Sequence, residues 1–124
     1  PGYHKHGAYL LEHADMPGFT REEQQVLACL VGSHRRKVAL TRLTEMPPAL
    51  RRQVQRLMVL LRLAAVLHRS RSAVAVPRLV LKVGEASLAV TFPRGWLKRH
   101  PLTAKDLEQE AEFLAVVPFR LRVS

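Results

Sequence analysis

The sequence predicts an α+β chain in two lobes: helices gathered around one long central helix over residues 1–72, then a small ββααβ lobe over residues 73–124. Three observations predict it. From Pro48 to Arg71 apolar residues recur at steps of three and four, at Leu50, Val54, Leu57, Leu61, Ala64 or Ala65, and Val66 or Leu67, which is the period of a helix. After Ser72 the texture changes to alternating, β-type runs. Between these regions lie turn and capping signals at spacings that separate discrete elements.

In order, Tyr3–His13 (YHKHGAYLLEH) reads as a loop running into a short helix, with Ala8, Leu10, Leu11 and Ala14 as its core face. Gly7 weakens that helix near its start. Pro17 and Gly18 in DMPGF make a turn. Thr20 and Glu23 then stand at the spacing of a capping box. They predict a helix from about Arg21 to about Val31 that buries Val26, Leu27, Cys29 and Leu30. Gly32-Ser33 ends it, and the densest positive cluster, His34-Arg35-Arg36-Lys37, follows at once. Basic groups there suit a helix C-terminus, so the cluster also has a purely structural reading. Residues 38–46 form a connector with a helical turn around Leu40 and Leu43.

Pro48 fits the first turn of the central helix, where its missing N–H costs nothing. Between Leu57 and Leu67 the only polar residue is Arg62. A helix apolar nearly all round is expected to be covered nearly all round. The run falls short of the ~20 apolar residues that cross a bilayer, so no membrane span is expected.

RLVLKV (78–83) and SLAVTF (87–92), separated by Gly84-Glu85-Ala86, predict a hairpin with one buried face. Pro93–His100 reads as a turn and short helix with Trp96 and Leu97 inward. Thr103 and Asp106 predict the start of a further helix whose apolar face is Leu107, Ala111 and Leu114. Phe119–Val123 reads as a third strand.

Charge is the strongest global fact. Lys and Arg number 20 against 10 Asp and Glu, with 12 basic and 5 acidic side chains in residues 1–72. Such a surplus suits a polyanion: nucleic acid, a phosphate polymer or an anionic membrane. Aromatic content of 6% is thin for single-strand binding by base stacking, and no reading helix with base-contacting polar residues stands out. The lone Cys29 cannot form an internal disulfide, and a buried structural thiol in a cytoplasmic protein is expected. No Gly-rich phosphate loop, paired-Cys motif or His-Glu-x-x-His occurs. Six histidines do: His4, His6, His13, His34, His68 and His100. Solvent-facing or hydrogen-bonded roles are the ordinary expectation for them, with anion contact next and metal ligation last. Positions 4 and 6 converge only in a loop, since a helix sets them about 200° apart.

GYHKHGAYLLEHADMPGFTREEQQVLACLVGSHRRK, LLRLAAVLHRSR and LAVTFPRGWLKRHPLTAKDLEQEAEFL together resemble the C-terminal part of the exopolyphosphatase / guanosine pentaphosphate phosphohydrolase (Ppx/GppA) family, and more closely its longer exopolyphosphatases. The resemblance implies an HD-like helical bundle, partial in this chain, over residues 1–72 and a small α/β domain over 73–124. It implies a parent enzyme that releases terminal phosphate from inorganic polyphosphate. That enzyme would have N-terminal actin-like domains, a divalent metal such as Mg, and a homodimeric habit. The family's catalytic carboxylates would lie upstream of Pro1, leaving this fragment without activity or cofactor of its own. His4, His6 and His34 match later histidine positions of an HD-type site. Where that pattern has Asp residues, this chain has Ala65 and His68, and alanine cannot ligate a cation.

The sequence therefore points to a polyanion-binding, non-catalytic region. His4, Lys5, His6, His34, Arg35, Arg36, Lys37 and Arg62 are the candidate polyphosphate-binding residues. An alternative has Arg62 paired with Glu12 or Asp15. Lys98, Arg99, Arg120 and Arg122 are the next candidates. Two other function classes stay open: an HD-type metal-dependent nucleotide phosphohydrolase, and a basic nucleic-acid-binding module.

Overall fold

A computed structural model describes residues 3–33, 40–69 and 76–124; the side chains of His4, Leu40 and Thr41 fall outside that description. The described elements are α1 (Tyr3–His13), α2 (Arg21–Gly32), α3 (Leu40–Thr44), α4 (Pro48–Arg69), β1 (Val80–Val83), β2 (Ser87–Thr91), α5 (Trp96–Arg99), α6 (Pro101–Ala115) and β3 (Arg120–Val123). The chain is thus α+β with a helical majority. It divides into two compact units, 1–62 and 63–124. The division falls within α4.

In the first unit α1 packs on α2. The expected loop at its start is helical from Tyr3. At Gly7 a Cβ would meet Val31 Cγ1 at 3.1 Å. The glycine that lowers helix propensity is therefore what lets the two helices approach. Ala8 of α1 and Ala28 of α2 are both buried, while Leu10 and Ala14 face solvent. The capping box of α2 forms as expected. Glu23 N donates to Thr20 Oγ1 at 3.0 Å and Thr20 N donates to Glu23 Oε1 at 2.8 Å.

A polar residue in the same helix is buried without forewarning. Gln24 Nε2 donates to Leu11 O (3.2 Å) and Ala14 O (2.6 Å). These carbonyls belong to the end of α1, where the helix supplies no partner. Arg21 NH1 donates to a third, Glu12 O, at 3.0 Å. Arg51 NH2 does the same beyond α3, donating to Thr44 O and Met46 O at 2.9 Å each.

The inward face of α4 differs from the one its periodicity suggested. Val54, Met58, Val59, Leu63, Val66 and Leu67 are buried. Leu57, Leu60 and Leu61 are 50%, 48% and 43% exposed, so the helix is not covered all round. An arc that is apolar in every direction has no preferred inward side, and packing chose one.

The second unit carries a three-stranded sheet in the order β1-β2-β3. β1 and β2 are antiparallel, with Val83 opposite Leu88 across the Gly84–Ala86 loop. β2 and β3 are parallel, as a connection through α5 and α6 permits. Leu88, Val90 and Leu121 are buried on one face with Phe92, Leu107 and Leu114, and α6 packs on β3. β1 is the far edge. Its Leu81 and Val83 point to the core side yet are 45% and 66% exposed, contrary to the expectation of a buried hairpin face.

The start of α6 is also corrected. Thr103 is buried inside the helix, not its cap; Pro101 takes the first position after His100, a favoured place for proline. His100 stacks on Trp96 with centroids 3.9 Å apart, and its Nδ1 donates to Trp96 O at 2.8 Å. Phe92 stacks on the same indole at 4.9 Å.

Candidate anion-binding site

The expected site residues fall into three groups. His34, Arg35, Arg36 and Lys37 lie outside the described residues. Lys5 and His6 are exposed on α1. Because α1 is helical from Tyr3, positions 4 and 6 sit about 200° apart around its axis, and the loop that would bring them together is not there.

Arg62 is the third case. It is 1% exposed, and its NH1 donates to Ser33 O at 2.6 Å. Ser33 is the C-cap of α2 and is itself fully buried. A guanidinium at a helix C-terminus meets both an orphan carbonyl and the negative end of the helix dipole. Glu12, one of the two carboxylates considered as a partner of Arg62, is engaged by another arginine. It forms an ion pair and hydrogen bond with Arg42. The Arg42 guanidinium holds the Glu12 carboxyl below the usual carboxylate range, against the opposing effect of burial.

Cys29 lies about one turn before Ser33, the C-cap of α2, and is buried. Burial pushes its thiol up, while a hydrogen bond with Ser33 works the other way. This is the structural thiol the sequence suggested.

The second set of basic residues is on the surface of the other unit. Lys98 and Arg99 are exposed on α5, and Arg120 and Arg122 on β3. Register adds a residue that periodicity did not single out. Lys82 is opposite Ala89, and Ala89 is opposite Arg122. Counting pairs back from the Gly84–Ala86 loop would have found the first of these.

A sequence model described as Ppx/GppA phosphatase, domain III, matches residues 1–111. The chain belongs to the Ppx/GppA phosphatase family. A curated relative from Aeromonas hydrophila subsp. hydrophila is 37% identical over 108 residues, which is 87% of this chain and 22% of that protein. It is named guanosine-5'-triphosphate,3'-diphosphate pyrophosphatase. The chain therefore spans about a fifth of the length of the relative it matches.

Where an HD-type site has Asp residues, neither position is a carboxylate in this Ppx/GppA chain. Ala65 has no donor and His68 is exposed. Among the described residues no three His, Cys, Asp or Glu side chains stand together as a cation site. No described helix is long and apolar enough to cross a membrane.

Proposed function

We propose that this chain is the polyanion-holding C-terminal region of an exopolyphosphatase whose catalytic domains lie elsewhere in the parent protein. The observation that carries the reading is a net charge of +10 on a chain of the Ppx/GppA family. Polyphosphate bears negative charge along its whole length, so grip far from the cleaved end favours repeated cleavage without release. Lys5, His6 and the His34–Lys37 cluster supply contacts, with His4 nearby in sequence. Arg62 is a positioning residue. It holds Ser33, the residue immediately before His34, and reaches the anion only through that cluster. The homodimer, the actin-like domains and the divalent metal belong to the parent enzyme in this reading.

The test is affinity for long-chain polyphosphate across a salt series, against single-stranded DNA at matched salt. Tighter binding of polyphosphate, a steep salt dependence and a weaker, less salt-dependent Arg36→Ala variant are expected. Equal affinity for DNA, or an Arg36→Ala variant indistinguishable from wild type, refutes it.

A second reading is supported by the name of the Aeromonas relative: the parent acts on guanosine pentaphosphate. Both substrates present runs of phosphate. Phosphate release by the full-length parent from each of the two compounds separates the readings.

A further inference from the structure

Strand register places three cations on one face of the β1-β2-β3 sheet. Leu88, Val90 and Leu121 turn inward, so Ser87, Ala89, Arg120 and Arg122 are on the opposite face. Ser87 is opposite Arg120, and Lys82, Ala89 and Arg122 form one row across the three strands. This open face holds a groove of about 560 Å³ lined by Lys82, Ser87, Ala89, Arg120 and Arg122 together with Gly84, Ala86 and Pro118. The small side chains of β2 make its floor, and the long basic ones of both edge strands make its walls.

We propose that this face of the sheet is a phosphate-chain binding surface, on which Lys82, Arg120 and Arg122 hold linked phosphate groups and the Ser87 hydroxyl donates to one of them. It deepens the polyanion reading above by giving that ligand a second place on the chain, in the unit that the His34–Lys37 cluster does not belong to.

Three features support it. Lys82, Arg120 and Arg122 are all exposed, and no ion pair or side-chain hydrogen bond occupies them among the described residues. No carboxylate and no aromatic ring lines the groove among the described residues. The missing carboxylate leaves the positive charge uncompensated, and the missing ring removes the stacking platform that single-stranded nucleic acid uses. The spacing suits a ligand with several anionic groups. Arg120 and Arg122 stand ~7 Å apart along their strand, and Lys82 and Arg122 ~10 Å apart across two strand spacings. A single phosphate cannot touch all three; two or more linked phosphates can.

The experiment uses the chain with tripolyphosphate and long-chain polyphosphate as probes. Amide shifts are mapped by NMR on wild type and on Arg120→Gln/Arg122→Gln and Lys82→Gln, with circular dichroism to verify folding. Tripolyphosphate is expected to shift amides at 82, 87–89 and 120–122. The double variant should lose these shifts, bind long polyphosphate at least about tenfold more weakly at low salt, and show a log–log salt slope smaller by about 1.5, on the counterion release found for two phosphate contacts. If folded variants bind both probes like wild type, the sheet face is not the site, while an effect of Arg36→Ala would leave the polyanion reading standing. If the sheet amides respond to tripolyphosphate and single-stranded DNA does not displace it from them, yet the whole chain binds DNA as tightly as long polyphosphate, the surface stands and the exopolyphosphatase reading falls. If single-stranded DNA displaces tripolyphosphate from these amides at matched charge concentration, or wild type binds neither probe, the assignment to a base-free phosphate chain is overturned.

Discussion

Replacing Arg62 with alanine separates a structural from a ligand-contacting role. The guanidinium is buried and donates to Ser33 O at 2.6 Å. Its loss leaves the carbonyl without that donor inside the protein, at a cost of about 1–3 kcal/mol. Truncation also removes two buried methylenes, worth about 1.6 kcal/mol together. Relief of guanidinium burial offsets part of this, so the net expectation is a loss of about 3 kcal/mol. Arg62→Lys keeps the stem and a charge but not the fork, and should lose about half as much. Urea denaturation of wild type and both variants measures the difference. Amide exchange should become faster at Leu30–Ser33, where the end of α2 loses its tie. The salt slope of polyphosphate binding should hardly change at temperatures where the variant is folded. A stability loss below about 1 kcal/mol for Arg62→Ala, or a slope that falls with stability intact, would refute the assignment of Arg62 to the interior.

Three other outcomes are expected. Glu12→Gln should cost about 0.5–1 kcal/mol at neutral pH. Because Arg42 depresses the folded-state pKa of Glu12, this contribution is fully present above the unfolded carboxylate range and is lost as pH falls through the lower folded value. The gap between wild type and the variant in urea melts should therefore narrow as pH is taken from 7 into the acid range. Cys29 should resist a thiol reagent at pH 8 in the native protein and react completely in urea, since burial disfavours its thiolate; rapid native labelling would contradict this. Gly18 has φ 88° with nothing within 4 Å of an added Cβ, so Gly18→Ala should lose about 1 kcal/mol through backbone strain alone, read from the same melts.

Local chemistry was legible in the sequence. The Thr20–Glu23 box, the Gly84–Ala86 hairpin, the short helix at Trp96 and the long helix beginning at Pro48 each depend on residues within a few positions of one another, and each is found. The family was legible for the same reason, because its motifs are contiguous. Tertiary structure decided what depends on direction. Leu57 and Leu61 look as apolar as Met58 and Leu63, and only packing turned the latter inward. Gly7 reads as a helix breaker until Val31 lies 3.1 Å from its absent Cβ. Arg62 reads as part of an anion site, and Gln24 is not singled out at all, until carbonyls at the ends of other helices are found beside them. Lys82 and Arg122 are forty positions apart, and only the pairing of both with Ala89 makes them neighbours. Periodicity carries the angle at which a side chain leaves its own element; the partner it then meets comes from elements distant in the chain, whose placement is set by the burial of all of them together.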